Sequence, residues 1–199
     1  MELTRADLSL GRQSGLLSGL RARGHLLALG AVLLLAGFLR FYNLSALGEG
    51  NLYYTAGVAS MLQSWSNFFF VAAEPGGSVT IDKPPLGFWL QTIAAFFLGL
   101  NGFAVMLPQI IAGLLSIVLL YHLVGRQFGR WPGVLAALAL AITPVAIAAD
   151  RNNTIDSLLV LALLLAAWAF IRATETGKLR HLLLGALIVG LGFNIKMLQ

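Results

Sequence analysis

The 199-residue chain is 58% hydrophobic and only 11% charged, with a mean hydropathy of +0.85; soluble domains carry roughly a quarter charged residues, so this composition excludes a water-soluble globule and calls for lipid as solvent. The net charge of +5 comes from basic residues that flank apolar runs and form no continuous face, which reads as membrane topology and argues against a nucleic-acid partner. Cysteine is absent, so no disulfide framework organises the fold.

Residues 1–24 are polar and weakly amphipathic, with Arg5, Arg12, Arg21 and Arg23. The apolar run that follows is too long for a signal-peptide core and lacks a small-residue cleavage site, so a retained, cytoplasmic signal anchor is expected. Residues 25–42 (HLLALGAVLLLAGFLRFY) are long enough to cross a hydrocarbon core of about 30 Å at about 1.5 Å per residue. Arg40, near the far end, is expected to snorkel to the headgroups. Residues 43–102 then form an outer loop. Within it, residues 51–65 carry apolar positions at helical spacing, are too short and polar to span, and read as an interfacial helix with Tyr53, Tyr54 and Trp65 at headgroup depth. Phe68, Phe69 and Phe70 dip into lipid, Glu74 sits in a solvated EPGGS turn, and IDKPP returns the chain to the membrane.

Two apolar runs follow, 86–100 and 103–124. If only the second crosses, nine basic residues face inward (Arg5, Arg12, Arg21, Arg23, Arg126, Arg130, Arg172, Lys178, Arg180) against four near the outer face (Arg40, Lys83, Arg151, Lys196). The positive-inside rule favours that arrangement, and residues 86–100 become a shallow or re-entrant helix. Further spans are expected at 131–149, 155–171 and 181–198, the last rich in glycine for close packing. The fold class is an all-α polytopic membrane bundle of about five transmembrane helices with interfacial helices in its first outer loop. It divides into a cytoplasmic segment, 1–24, and a membrane module, 25–199, whose end at the close of a span suggests a piece of a longer protein.

This topology puts two polar islands on one outer face: the loop bearing Glu49, Asp82 and Lys83, and the run DRNNTID from Asp150 to Asp156. Asp156 opens an apolar helix, where it is either an acid favoured by the helix dipole, with Asn152 and Thr154 as caps, or an ionisable group marking a site at membrane depth. Lys83 is either an interfacial anchor or a cation aimed at a phosphate. Arg151 is either the ion-pair partner of Asp150 or a ligand for substrate. His25, His122 and His181 are scattered at span ends and give no zinc pattern, no glycine-rich phosphate loop follows a strand, and no Ser-His-Asp set is present.

The stretches NLYYTAGVASM, SWSNFFF, DKPPLGFWLQ, DRNNTIDSLL and GLGFNIKMLQ resemble bacterial members of glycosyltransferase family 39. This is the branch of the C-type membrane glycosyltransferases that holds protein O-mannosyltransferases and lipid A aminoarabinose transferases. The resemblance covers residues 39–199, the N-terminal part of that family's membrane module. It implies transfer of a sugar from a polyprenyl-phosphate donor to a glycan, lipid or protein acceptor outside the cytoplasm. Lys83 of the KPP would contact the donor phosphate, and Asp156 would shape the site. The family's catalytic acid lies in the first outer loop as an Asp-Glu pair. Here the matching stretch is Glu49-Gly50-Asn51, so either Glu49 serves or Asn51 marks a branch with altered chemistry. The expected catalytic residues are Glu49 and Asp156, and the expected substrate-binding residues are Asn51, Tyr54, Asp82, Lys83, Arg151 and Asn153. Carboxylates could hold a divalent cation, but no ligand spacing argues for one. The competing readings are a lipid-linked sugar transporter and a non-catalytic membrane subunit; charges gathered at one face favour surface chemistry over a transport pathway.

Overall fold

The computed structural model describes residues 5–197, with side chains from residue 23 onward. Nine α-helices are present among the described residues: α1 (Arg5–Phe41), α2 (Leu52–Met61), α3 (Trp65–Phe70), α4 (Pro85–Leu98), α5 (Gly102–Phe128), α6 (Arg130–Ile142), α7 (Pro144–Asp150), α8 (Asp156–Thr176) and α9 (Leu179–Ile195). A short 3₁₀ turn, Leu44–Leu47, joins α1 to the first loop. The one β-like feature there is an isolated bridge between Ala72 and Thr80. The chain is an all-α membrane bundle.

Three stretches are long and apolar enough to cross a membrane: Arg23–Phe41, Gly102–Phe128 and Asp156–Thr176. The span expected at 131–149 is not one rod. It breaks into α6 and α7, which meet at an angle of 62°. The cause is local: Pro144 offers no amide and biases Thr143 to an extended backbone (φ −62°, ψ 117°). The last helix, α9, has 17 residues, against the roughly 20 that a span requires. The helix expected over 51–65 likewise stops at Met61, and a new one starts after Ser64, whose side chain accepts the Asn67 amide at 3.1 Å.

Helix α4, with 14 residues, has a close approach to another segment near each of its ends. Near its start, Gly87 lies against Ile155, just before α8, and just beyond its end, Gly102 lies against the Gly48 carbonyl of the first loop; a side chain at either glycine would collide with its neighbour. The two partners, Gly48 and Ile155, belong to segments that are themselves hydrogen-bonded together through Asn51, Asn152 and Asn153.

Two apolar clusters fill the interior. One sits under the loop layer and includes Val58, Met61, Phe88, Val105, Met106, Ile110 and Ile155. The other joins α1, α5 and α6 through Leu29, Val32, Ala36, Ile117, Val134, Ala137 and Ala141. Small residues set the α5–α6 spacing, as expected where lipid removes the hydrophobic drive and packing must supply it. A Cβ on Gly133 would lie 2.7 Å from the Tyr121 carbonyl and 2.9 Å from Gly125 Cα. Both are backbone atoms, so neither can swing away. Gly133→Leu should therefore cost about 1–3 kcal/mol by overpacking, read as a lower unfolding midpoint in detergent. Gly30→Leu, at a site with nothing within 4 Å, should leave the midpoint unchanged.

Candidate functional site

The two polar islands meet through three asparagines, Asn51, Asn152 and Asn153. The Asn51 side chain caps α2, accepting the amides of Tyr53 (3.1 Å) and Tyr54 (3.4 Å). Its own amide donates to Asn152 Oδ1 (3.0 Å) and Asn153 Oδ1 (2.7 Å). Asn153, fully buried, donates back through Nδ2 to the Asn51 carbonyl (3.3 Å) and to Thr55 Oγ1 (2.9 Å). The Thr55 hydroxyl in turn donates to the Glu49 carbonyl at 2.7 Å, and Gln91 on α4 donates to the Asn153 carbonyl at 2.8 Å. Gly50 makes the approach possible. Its φ is +72°, and a Cβ there would press on Asn153 Oδ1 at 2.9 Å and Met106 Cε at 3.0 Å.

This network fixes the backbone of Glu49 while leaving its side chain in solvent. The Glu49 carboxylate is exposed and makes no hydrogen bond or ion pair with the described residues. Asp156, in the first turn of α8, is instead held by Lys196 at 2.5 Å. Neither Asn152 nor Thr154 caps α8 as expected: Asn152 Oδ1 is committed to the amides of Asn51 and Asn153, and Thr154 lies 3.5 Å from the Ala149 carbonyl.

Lys83 pairs with Asp82 at 2.5 Å, and this bond holds the lysine's pKa above its ordinary value. Pro84 is extended (φ −63°, ψ 160°) and Pro85 is the first residue of α4, so the dipeptide presents Lys83 at the point where the chain enters the helix. Lys83 lines a pocket of about 320 Å³ with Phe69, Phe70, Ile81, Pro85 and Met197; Met197 is the neighbour of Lys196. The Tyr54 ring lies 5.0 Å from that of Phe88. Burial pushes the Tyr54 phenol's pKa up, Asp82 and Asp156 add to the rise, and Lys83 opposes it. The pocket shared by Lys83 and Met197 links the Lys83–Asp82 pair to the neighbourhood of the Lys196–Asp156 pair.

Arg151 borders a separate open groove of about 780 Å³ with Leu47, Gly50, Asn51, Pro144, Ile147 and Asn152. It does not pair with Asp150. Its guanidinium donates to the Leu39 carbonyl at 2.8 Å, because Asp150 already has a partner. That partner is Arg40, which is fully buried and does not snorkel. Arg40 Nε bonds Asp150 Oδ2 at 2.5 Å, and Arg40 Nη1 donates to the carbonyls of Ala141 (3.1 Å) and Ala36 (3.3 Å). Arg40, expected at the headgroups, and Lys196, expected only near the outer face, both join the network's surroundings, as does Gln91. A charged residue inside an apolar span was the signal available for Arg40; Gln91 and Lys196 carried none beyond polarity near a span end.

Phe68 does not dip into lipid but stacks on Trp89 at 5.7 Å, and the Trp89 indole donates to its carbonyl at 2.8 Å; Phe69 and Phe70 are exposed. An apolar groove of about 470 Å³ runs beside them, lined by Met61, Leu62, Trp65, Phe68, Ile93 and Phe96. Among the described residues no group of three or more His, Cys, Asp or Glu is placed to hold a metal ion. Glu74 closes its turn by accepting the Ser78 amide (2.7 Å), the Gly76 amide (2.6 Å) and the Ser78 hydroxyl (3.0 Å). These bonds, the Ser78 amide foremost, hold its carboxyl below its ordinary pKa.

Residues 82–199 match the family described as Dolichyl-phosphate-mannose-protein mannosyltransferase. Two proteins of Bacillus subtilis (strain 168) are similar to the chain. One, named "Putative mannosyltransferase YkcB", is 45% identical over 168 residues, which is 84% of this chain and 24% of that protein. The other, named "Putative mannosyltransferase YycA", is 45% identical over 172 residues, 86% of this chain and 25% of that protein. The chain thus spans about a quarter of the length of these relatives. No solved structure matches it.

Two expectations follow from this geometry. Asn153→Ala removes three bonds at once, to the Asn51 amide, the Asn51 carbonyl and the Thr55 hydroxyl, from a fully buried position, so it should cost about 1–3 kcal/mol in detergent unfolding. Asn152→Ala should cost less, since the Asn51 amide keeps its shorter bond to Asn153. For Glu74, a carboxyl whose folded pKa is lowered stabilises its turn above the ordinary value of 4.5 and loses that contribution as pH falls through the folded value. The Gly76 and Ser78 amides should therefore be protected from deuterium exchange at neutral pH. After correction for the intrinsic pH dependence of exchange, that protection should vanish in acid and be absent at every pH in Glu74→Gln.

Proposed function

The chain belongs to the dolichyl-phosphate-mannose-protein mannosyltransferase family, and from that membership and the geometry of the joined islands we infer that the whole protein is a membrane glycosyltransferase using a polyprenyl-phosphate sugar. The acceptor is a hydroxyl of a glycan, lipid or protein on the extracytoplasmic side. The observation that supports this reading is the meeting of the two islands through Asn51, Asn152 and Asn153, beside a pocket lined by Lys83 and by Met197, the residue after the Asp156 partner Lys196, with the Glu49 carboxylate unpaired among the described residues.

The chemistry assigns each group a role. An acceptor hydroxyl is a weak nucleophile, so a carboxylate must take its proton as the oxygen attacks the anomeric carbon. Glu49 is free for this task, whereas Asp156 is occupied by Lys196 and suits sugar orientation. As the new C–O bond forms, the bond from the anomeric carbon to the phosphate oxygen breaks, and polyprenyl phosphate departs with the electron pair. In this reading Lys83 stabilises that charge. Its partner Asp82 is 56% exposed, so the anionic donor can displace it at little cost. The apolar groove beside Trp65 and Phe96 suits the start of a lipid tail. Asn51 and Asn153 hold the loop in place through their mutual bonds, and Arg151 borders a separate groove, which suits the acceptor. The excess of basic residues on the opposite side of the bundle supports an extracytoplasmic site.

The test is sugar transfer by the full-length protein in lipid nanodiscs, with radiolabelled polyprenyl-phosphate mannose as donor. Glu49→Gln should lower turnover about 10²–10⁴-fold, and Lys83→Ala about 10²–10³-fold. Turnover at the unaltered rate in Lys83→Ala would remove the phosphate clamp and with it this assignment.

A further inference from the structure

The buried pair formed by Arg40 and Asp150 is not used by the chemistry above. We infer that it is a positioning pair: it sets where the Glu49 loop stands relative to the rest of the bundle, and so sets the rate of the transfer step. The catalytic half of this inference rests on the glycosyltransferase reading.

The argument starts at the broken span. In a continuous helix the Ala141 carbonyl would accept the amide four residues on. The extended Thr143 and the 62° turn between α6 and α7 remove that partner, and nothing in a bilayer interior replaces it. Arg40 supplies the bond from α1 through Nη1, at 3.1 Å. The same guanidinium takes the Asp150 carboxylate at the end of α7. One side chain therefore fastens both halves of the break to α1, and Arg151 adds a second tie to the Leu39 carbonyl.

The next residues are Asn152 and Asn153, which hold the Asn51 amide and, through Thr55, the Glu49 carbonyl. The path from Arg40 to Glu49 is thus an unbroken run of bonded groups: Arg40, Asp150, the two asparagines, Asn51 with Thr55, Glu49. The seat of Asp150 is also shaped for it. Gly113 on α5 leaves the space that the carboxylate fills, and any Cβ there would collide with it. Arg40, Gly113, Asp150 and Ser157 border a small cavity of about 70 Å³ that reaches Asp156, so a displaced Asp150 has room to move and would disturb both candidate carboxylates.

The experiment uses the full-length protein with spin labels on cysteines at Leu47 and Ile147, which border the same groove. The chain described here has no cysteine of its own; any elsewhere in the full-length protein are replaced first. Asp150→Asn should shift or broaden the label-to-label distance and lower kcat about 100-fold, while the donor KM stays within roughly twofold because donor contacts are untouched. Gly113→Ala, which keeps both charges and favours helix, should do the same by moving the carboxylate. The double variant Arg40→Gln with Asp150→Asn keeps a neutral bonded pair and should regain most of the lost kcat. Unchanged distances in both Asp150→Asn and Gly113→Ala, or a kcat that ignores a shifted distance, would overturn the inference. So would a fall in activity that follows the loss of folded protein alone. An unaltered protein that transfers no sugar would sink the glycosyltransferase reading, and the distances would still decide whether the pair holds the loop.

Discussion

A backbone that bends inside a membrane must find every hydrogen bond within the protein, because lipid offers none. The chain bends at Thr143 and Pro144, and Arg40 meets the resulting demand. An arginine suits the place better than a lysine. Its planar fork can face a carboxylate and a carbonyl at once, and it stays charged when buried. The pair is a poor source of net stability, since desolvating two charges offsets most of their attraction, yet removing one partner typically costs about 3–5 kcal/mol. Such an arrangement tolerates one geometry and penalises departures from it, which is what a bent element needs.

The bend delivers the second polar island to the first. Once Asp150 is seated against Gly113, the chain emerges at Asn152 and Asn153 and meets the Glu49 loop, with Gly50 leaving just enough space for Asn153. Helix α4 closes the assembly from the side: Gln91 bonds the Asn153 carbonyl and Gly87 packs on Ile155. Four glycines, at positions 50, 87, 102 and 113, thus mark close approaches on which the loop layer is built.

Much of this was legible in the residues. The apolar runs, the double proline and the two charged islands were enough to give an all-α membrane bundle with short helices in its first loop. The resemblance in DKPPLGFWLQ and DRNNTIDSLL led to the family that residues 82–199 match. What escaped was pairing across the chain. Arg40 at the end of one span reads as a snorkelling anchor when its partner is 110 residues away, and Arg151 reads as the mate of its neighbour Asp150. Local rules assign charges to local partners, whereas burial rewards whichever partner the packing supplies. The same limit applied to Lys196, whose bond to Asp156 spans 40 residues. The broken span was missed because hydropathy averages over a proline that changes direction without changing polarity.

The junction at Asn51 grips main chain, not side chain. The partner asparagines take the amide and carbonyl of residue 51, and its own amide group is spent on capping α2, a duty an aspartate performs equally well. Architecture here is therefore indifferent to whether the position carries a charge. An acid and an amide could trade places over evolutionary time while the scaffold stood unaltered, so the reactivity of the loop can drift independently of the framework that holds it.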